Sequence, residues 1–257
     1  MKQWFARPAT TVGLDSPETT LNHRRTINAK PFLRRIYEEW NASAAAALPD
    51  GEEAVLELGS GAGLLSAHVP RVILSDIVAV PGLHLVADAT DLPLRDASLR
   101  GIVMVNVLHH IAQPRRFFAE AARVVRVGGA VVMIEPWISS WSRFVYGSFH
   151  HEPCDPEAVT WEFASEGRLS SANGALPWMV FARDRALFER EFPQWKVDRV
   201  EPFMPFRYVV SGGLSHHSLM PAATFGAWRA CERALSPWMD ALAMFALVRL
   251  ERSVVND

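Results

Sequence analysis

At Val55-Leu56-Glu57-Leu58-Gly59-Ser60-Gly61-Ala62-Gly63-Leu64-Leu65 an apolar run meets an acidic residue and then three glycines at alternate positions. This is the pattern of a buried strand that turns through a glycine loop, because glycine reaches positive φ without strain. Backbone N–H groups at the start of the helix that follows suit a polar or anionic ligand. Further short apolar runs follow at 72–75, 83–87, 102–107 and 130–134, separated by turn and helix patterns. Ile102 to Val107 is apolar and β-branched up to Asn106, as in a strand covered on both faces. Strands that alternate with helices imply a doubly wound α/β sheet, with ligands bound beyond the carboxyl ends of its strands. Glu57, Asp76, Asp88, Asn106 and Glu135 all fall at or just after those ends. Any one of them is explained as a turn or cap residue. Together they mark a binding edge.

The flanks are assigned around this core. Residues 17–47 read as one or two helices, with Leu21, Ile27, Phe32, Leu33, Ile36, Tyr37 and Trp40 on one stripe and Pro31 as a break or a start. A short helix is expected from the glycine loop to Pro70. Another is expected over 114–127, closed by Gly128-Gly129. Strands are expected at Trp195 to Val200 and Ala243 to Leu250, a helix at Asp184 to Glu191, and a helix near Phe225 to Leu235. The chain of 257 residues is expected to be one domain: a helical cap over 15–48, a core over 52–136, and insertions at 137–182 and 202–240 that build a second site above the sheet. Two cysteines, no apolar leader at the start and no run of about 18 apolar residues make a cytoplasmic chain without a transmembrane segment the expectation. A net charge of -2 argues against a nucleic-acid partner. The sequence leaves the oligomeric state open.

The glycine spacing separates the nucleotide-type ligands. A dinucleotide loop needs G-x-G-x-x-G, but Leu64 stands at the third position, and no Gly-Lys-Ser/Thr follows to cradle phosphate. Instead Glu57-x-Gly59-x-Gly61-x-Gly63 is followed by Asp76 nineteen residues after Glu57. Ala87-Asp88-Ala89 with Leu92-Pro93-Leu94 comes next. Then come Val105-Asn106-Val107-Leu108-His109-His110-Ile111 and the helix Phe117 to Val125 before Gly128-Gly129. In this order and spacing the chain resembles the class I S-adenosylmethionine-dependent methyltransferases, in the small-molecule, methyltransferase type 11-like group. That resemblance covers about residues 52–136. It implies a Rossmann-like seven-stranded sheet with an antiparallel last strand. It further implies S-adenosylmethionine as cofactor and S-adenosylhomocysteine as product. Carried over by position, Gly59 and Gly61 contact the methionine part, and Glu57 lies beneath and orients the loop. Asp76 accepts both ribose hydroxyls, Asp88 accepts the adenine amino group, the Ala89 N–H meets the ring, and Asn106 and Val107 lie near the methionine end. Ser60, Gly63 and Ile77 complete the expected cofactor set. The helical segment from Leu21 to Trp40 covers the cofactor in such relatives. One departure is Gly101, which stands where the family usually has an acidic residue before its fourth strand.

The expected activity is methyl transfer to an oxygen or nitrogen of a small, partly apolar acceptor. Such an acceptor can need a general base, and histidine suits that near neutral pH. His109, His150 and His151 are the candidates, with His110 beside the first. His150-His151 is followed by Glu152, Cys154 and Asp155, a spacing that fits no metal pattern, so no metal is expected. His216-His217 is assigned to a surface or lid element. His23, Arg25 and Lys30 are weaker substrate-contact candidates against solvated charge. Trp137, Trp141, Phe144, Trp161, Trp178, Phe203, Phe206, Phe225, Trp228 and Trp238 can fill the insertions or line an acceptor pocket, and a few are expected to reach the cavity. Two alternatives stay open: a lipid- or glycan-linked acceptor with peripheral membrane contact, motivated by the apolar stretches 137–149 and 219–248, and a non-catalytic S-adenosylmethionine-binding protein.

Overall fold

The computed structural model describes residues 16–149, 153–164, 167 and 171–254. Helices α1 (Pro17–Ala29) and α2 (Pro31–Ala46) open the chain, each with proline in its first turn, where its missing N–H costs nothing. Strands β1 (Ala54–Leu58), β2 (Val72–Asp76), β3 (Leu85–Val86) and β4 (Leu99–Val105) follow, then α3 (Pro114–Val124) and β5 (Val125–Pro136). Helices α4 (Ser140–Phe149), α5 (Leu176–Trp178, continued by a π turn to Arg183) and α6 (Arg185–Glu191) lead to β6 (Trp195–Phe203). Helices α7 (Arg207–Val210), α8 (Phe225–Ala234) and α9 (Met239–Leu242) precede β7 (Phe245–Arg252).

The strands form one seven-stranded sheet in the order β3-β2-β1-β4-β5-β7-β6. β1 to β5 run parallel, and β7 lies antiparallel between β5 and β6. This is the Rossmann-like methyltransferase architecture expected from the motifs. The order reverses between β1 and β4, so a crevice opens where their carboxyl ends diverge. The register shows how the sheet is covered. Phe245 meets Trp40 of α2 at a ring distance of 4.8 Å, and Arg249, on the same face of β7, donates to Ala47 O at 2.9 Å. Trp195 pairs with Arg252, which belongs to the other face, and its Nε1 donates to Phe118 O of α3 at 3.1 Å. Helices α2 and α3 therefore bury opposite faces.

Several local expectations change. The helix after the glycine loop is a single 3-10 turn, Leu64–Ala67, because Pro70 disfavours helical backbone at the residue before it. The third strand shrinks to Leu85–Val86. Gly128-Gly129 does not close α3. That helix ends at Val124, and the glycine pair is a bulge inside β5, where the pairing with β4 shifts between Leu99–Val125 and Gly101–Ala130. Gly128 has φ +72°, and a Cβ on Gly129 would lie 2.8 Å from Arg126 O. The substitution at Gly101 has a packing cause: a Cβ there would lie 2.5 Å from Leu48 Cδ2. Glycine lets the chain leaving α2 settle on β4.

The second half is tied to α2 by a buried charge network. Arg207 donates to both Glu39 oxygens at 2.9 Å, and its Nε pairs with Glu232. Glu232 Oε1 also accepts the Phe206 and Arg207 backbone N–H groups at 3.0 and 2.7 Å. Both oxygens of Glu39 and both of Glu232 accept within this network, the pairing that buried charges require.

Candidate functional site

The loop after β1 is built on the backbone. Gly59, Gly61 and Gly63 all have positive φ, at +64°, +45° and +69°. Ser60 replaces the missing ladder partners: its Oγ donates to Ser75 O at 3.0 Å, accepts the Ser75 N–H at 2.8 Å, and its own N–H reaches Ser75 O at 2.9 Å. These bonds pin the loop to the end of β2 and set Asp76 beside it. From above, Arg24 of α1 donates to Gly61 O at 2.9 Å and to Pro81 O at 3.0 Å. The cap thus holds the loop through Arg24, which the sequence reading missed. A lone arginine in an amphipathic helix gives no signal of that contact.

Asp76 is buried at the end of β2, and Asp88 is exposed beyond β3. Asp88 Oδ1 accepts the Thr90 N–H and Oγ1–H, each at 2.8 Å. It therefore does the turn work of an Asx residue and keeps its other oxygen for further bonding.

The loop after β4 is organised by Glu135. Asn106 ends the strand at φ +57°, a conformation asparagine tolerates better than most residues. Glu135 Oε1 then accepts the Val107 and Leu108 N–H groups at 2.8 Å each, and Oε2 meets His109 Nδ1 at 2.7 Å. The His109 and His110 rings lie 4.2 Å apart. Sequence placed Glu135 at a strand end but assigned it no role.

Glu57 is 5% exposed, and its Oε2 has no hydrogen-bond partner among the described residues. Burial pushes its carboxyl from 4.5 up to about 8, against the Ser60 hydrogen bond. A folded value above the unfolded one means that the folded chain keeps a proton the unfolded chain releases. The contribution is whole below pH 4.5 and is lost as pH rises to about 8, at about 1.4 kcal/mol per unit. In the ligand-free protein, the denaturation midpoint of the wild type should fall relative to that of Glu57→Gln across this window. Parallel curves would contradict the assignment.

A cavity of about 1150 Å³ joins these pieces. Glu57, Gly59, Ser60, Gly61, Gly63, Asp76, Ile77, Asp88, Ala89, Asn106 and Val107 all line it, as do His109 and His110. Tyr37, Tyr146 and Tyr208, the chain's 3 tyrosines, line it too, with Val145, Leu214, Leu219, Met244 and Phe245. The ten tryptophans and phenylalanines singled out from the insertions are absent from the described lining. They pack elsewhere: Trp161 under Arg115 at 4.3 Å, Phe225 on Phe32 at 5.1 Å, and Trp141 with Phe144 and Phe206. The tyrosines carried the better signal, one each in the cap and the two insertions.

Other candidates separate clearly. His150 and His151 lie outside the described residues. His23 lines the cavity, whereas Arg25 donates to Asn22 on its own helix. Lys30 donates to Gly213 O at 2.8 Å and to His216 O, so it anchors the loop carrying His216-His217, which lines the cavity. Burial raises the Cys154 thiol to about 11, leaving it un-ionised near neutral pH. No helix among the described residues is long and apolar enough to cross a membrane.

Comparison with known families places this geometry. Residues 56–133 match the model of the methyltransferase domain family. This stretch is similar to a methyltransferase domain. It holds most of β1, all of β2 to β4 and most of β5, with both loops that flank the crevice. The likeness to a solved structure extends over the whole fold. The chain solved in complex with the Haloferax volcanii Trm112 methyltransferase activator is 16% identical, covering 91% of this chain and 99% of its own, with a TM-score of 0.52. Geranyl diphosphate C-methyltransferase from Streptomyces coelicolor A3(2) is 12% identical over 98% and 88%, with a TM-score of 0.49. The [4+2]-cyclase SpnF is 14% identical over 85% and 81%, with a TM-score of 0.47. Comparison with curated proteins gives no match. The chain has the fold of the class I S-adenosylmethionine-dependent methyltransferases.

Proposed function

We propose that this methyltransferase domain binds S-adenosylmethionine in the crevice and transfers its methyl group to an oxygen or nitrogen of a small, partly apolar acceptor. One observation carries this: a single cavity of about 1150 Å³ runs from the glycine loop and Asp76 to His109 and a wall of tyrosines and apolar side chains. Sites for one ligand usually occupy roughly 300–1,000 Å³, so there is room for two molecules side by side.

The residues fit the cofactor. A Cβ on Gly59 would lie 2.6 Å from Val107 Cγ2, so the loop has no space for a side chain at that position. Glu57 Oε2 and Asn106 Oδ1 are buried oxygens in that wall with no hydrogen-bond partner among the described residues, and such atoms cost about 1–3 kcal/mol unless something bonds to them. The ammonium of a methionine group is a donor of the right kind. The carboxylate of Asp76 suits a vicinal diol, and the second oxygen of Asp88 suits an adenine amino group. The cofactor supplies an electrophilic methyl carbon bound to a sulfonium.

The protein's part is alignment. Holding donor and acceptor in one closed space can supply about 7–11 kcal/mol of the barrier. Tyr146 Oη is already committed to Met244 O at 2.6 Å, so at that point the wall offers a ring face to the acceptor. His109 takes the acceptor's proton. The test is a panel of phenols, primary amines, sugars and lipid extracts incubated with methyl-labelled cofactor. Label should enter phenols or amines and drop about 100-fold in His109→Ala. Label confined to lipid extracts would favour the membrane-surface acceptor, and no label would favour a binding protein.

A further inference from the structure

Glu135 does more than the turn requires. The residue is 0% exposed at the end of β5, where an ionised carboxylate is costly. Capping the turn uses only Oε1, which takes the Val107 and Leu108 N–H groups. A neutral glutamine could do that with less desolvation. The second oxygen is spent on His109 Nδ1 at 2.7 Å.

His109 is held from a second side. Its carbonyl accepts the Asn173 N–H at 2.9 Å. Asn173 is itself fixed, with Oδ1 accepting the Asp155 and Ala175 N–H groups at 2.9 and 3.0 Å and Nδ2 donating to Asp155 O at 3.0 Å. The ring is 2% exposed and lines the cavity. An ionised carboxylate only accepts, so Nδ1 carries the proton of the neutral ring and Nε2 becomes its basic nitrogen.

We propose that Glu135 is a positioning residue that makes His109 the proton acceptor of the methyl transfer, and that the substrate is therefore an acidic hydroxyl, such as a phenol, or an ammonium. This rests on the methyl-transfer function above. His109 Nε2 takes the proton. The pair of the O–H or N–H bond stays on the nucleophile and forms the bond to the methyl carbon, and the pair of the broken carbon–sulfur bond stays on sulfur. The Glu135 carboxylate balances the imidazolium. Thioethers and tertiary amines have no proton to give and gain nothing from the pair.

The experiment uses the full chain labelled with 15N-histidine, with S-adenosylhomocysteine as the binding probe and phenols, primary amines, thioethers and tertiary amines as acceptors. Glu135→Gln keeps an oxygen for the turn but sets an NH2 against Nδ1. The expected result is unchanged S-adenosylhomocysteine affinity, a switch of His109 from the Nδ1–H to the Nε2–H tautomer, and a kcat lower by about 100-fold at similar KM. An unmoved tautomer, an unmoved kcat, or a wild type that methylates only thioethers or tertiary amines overturns the proposal. If Glu135→Gln does not fold, the wild-type spectrum decides: Nδ1–H supports the pair and Nε2–H overturns it. Failure of the wild type to bind S-adenosylhomocysteine brings down the methyl-transfer function and this proposal with it. Binding with an unmoved tautomer or rate brings down this proposal alone.

Discussion

Gly59→Ala should weaken S-adenosylhomocysteine binding about a hundredfold or more while leaving the chain folded. Two independent effects act at this position. Gly59 sits at φ +64°, and its Cβ would lie 2.6 Å from Val107 Cγ2. Left-handed backbone costs a non-glycine residue about 1–2 kcal/mol. The clash then moves either the loop or Val107, and both line the cavity. A displacement of a few tenths of an ångström at a backbone cradle costs affinity more than stability, because the loop lies outside the packed sheet. Gly61→Ala is the control. It shares the positive φ, at +45°, but its Cβ would have Gly59 O at 3.6 Å as its nearest neighbour. Gly61→Ala should therefore lose only the backbone term, about tenfold in affinity, and Gly59→Ala at least ten times more. Titration calorimetry on both variants checks this; equal losses would mean that Val107 does not set the floor of the site.

The sheet was legible because it is coded locally. Residues 102–105 have no polar side chain to allow any other placement, and Pro31 divides the two cap helices. The glycine loop and the acidic strand ends could be named because each sits at the end of a strand whose register is fixed by burial. Elements governed by distant contacts were not legible. Gly128-Gly129 looks like a helix stop, yet it is a bulge whose shape depends on pairing with β4. Arg24, Lys30 and Glu135 act through partners 37, 183 and 26 residues away. Such contacts have no period and no spacing for a sequence to show. The aromatic residues misled for a similar reason. Tryptophan and phenylalanine in an insertion serve a core as readily as a cavity, and here they pack away from the cavity or, like Phe144 and Trp238, stand exposed. Each tyrosine carries a hydroxyl that needs a partner, and all 3 stand at the cavity wall, where a polar tip can be satisfied.

Asp76→Ala carries the largest expected effect. The carboxylate lies at the end of β2, 6% exposed, beside a loop that Ser60 ties to the same strand. In the proposed function it takes both hydroxyls of the cofactor ribose. Hydrogen bonds to a charged group are worth about 1.5–3 kcal/mol each, so the loss of two is about 3–6 kcal/mol, or roughly two to four orders of magnitude in Kd. Alanine leaves the strand intact, since Ser75 and Asp76 keep their backbone pairing with β3. The direct measurement is titration calorimetry of S-adenosylhomocysteine against the wild type and Asp76→Ala, with a denaturation curve confirming that both are folded. Binding to S-adenosylmethionine in this crevice predicts micromolar or tighter affinity for the wild type and at least a hundredfold weakening in the variant. No binding by the folded wild type, or equal binding by both proteins, would contradict it.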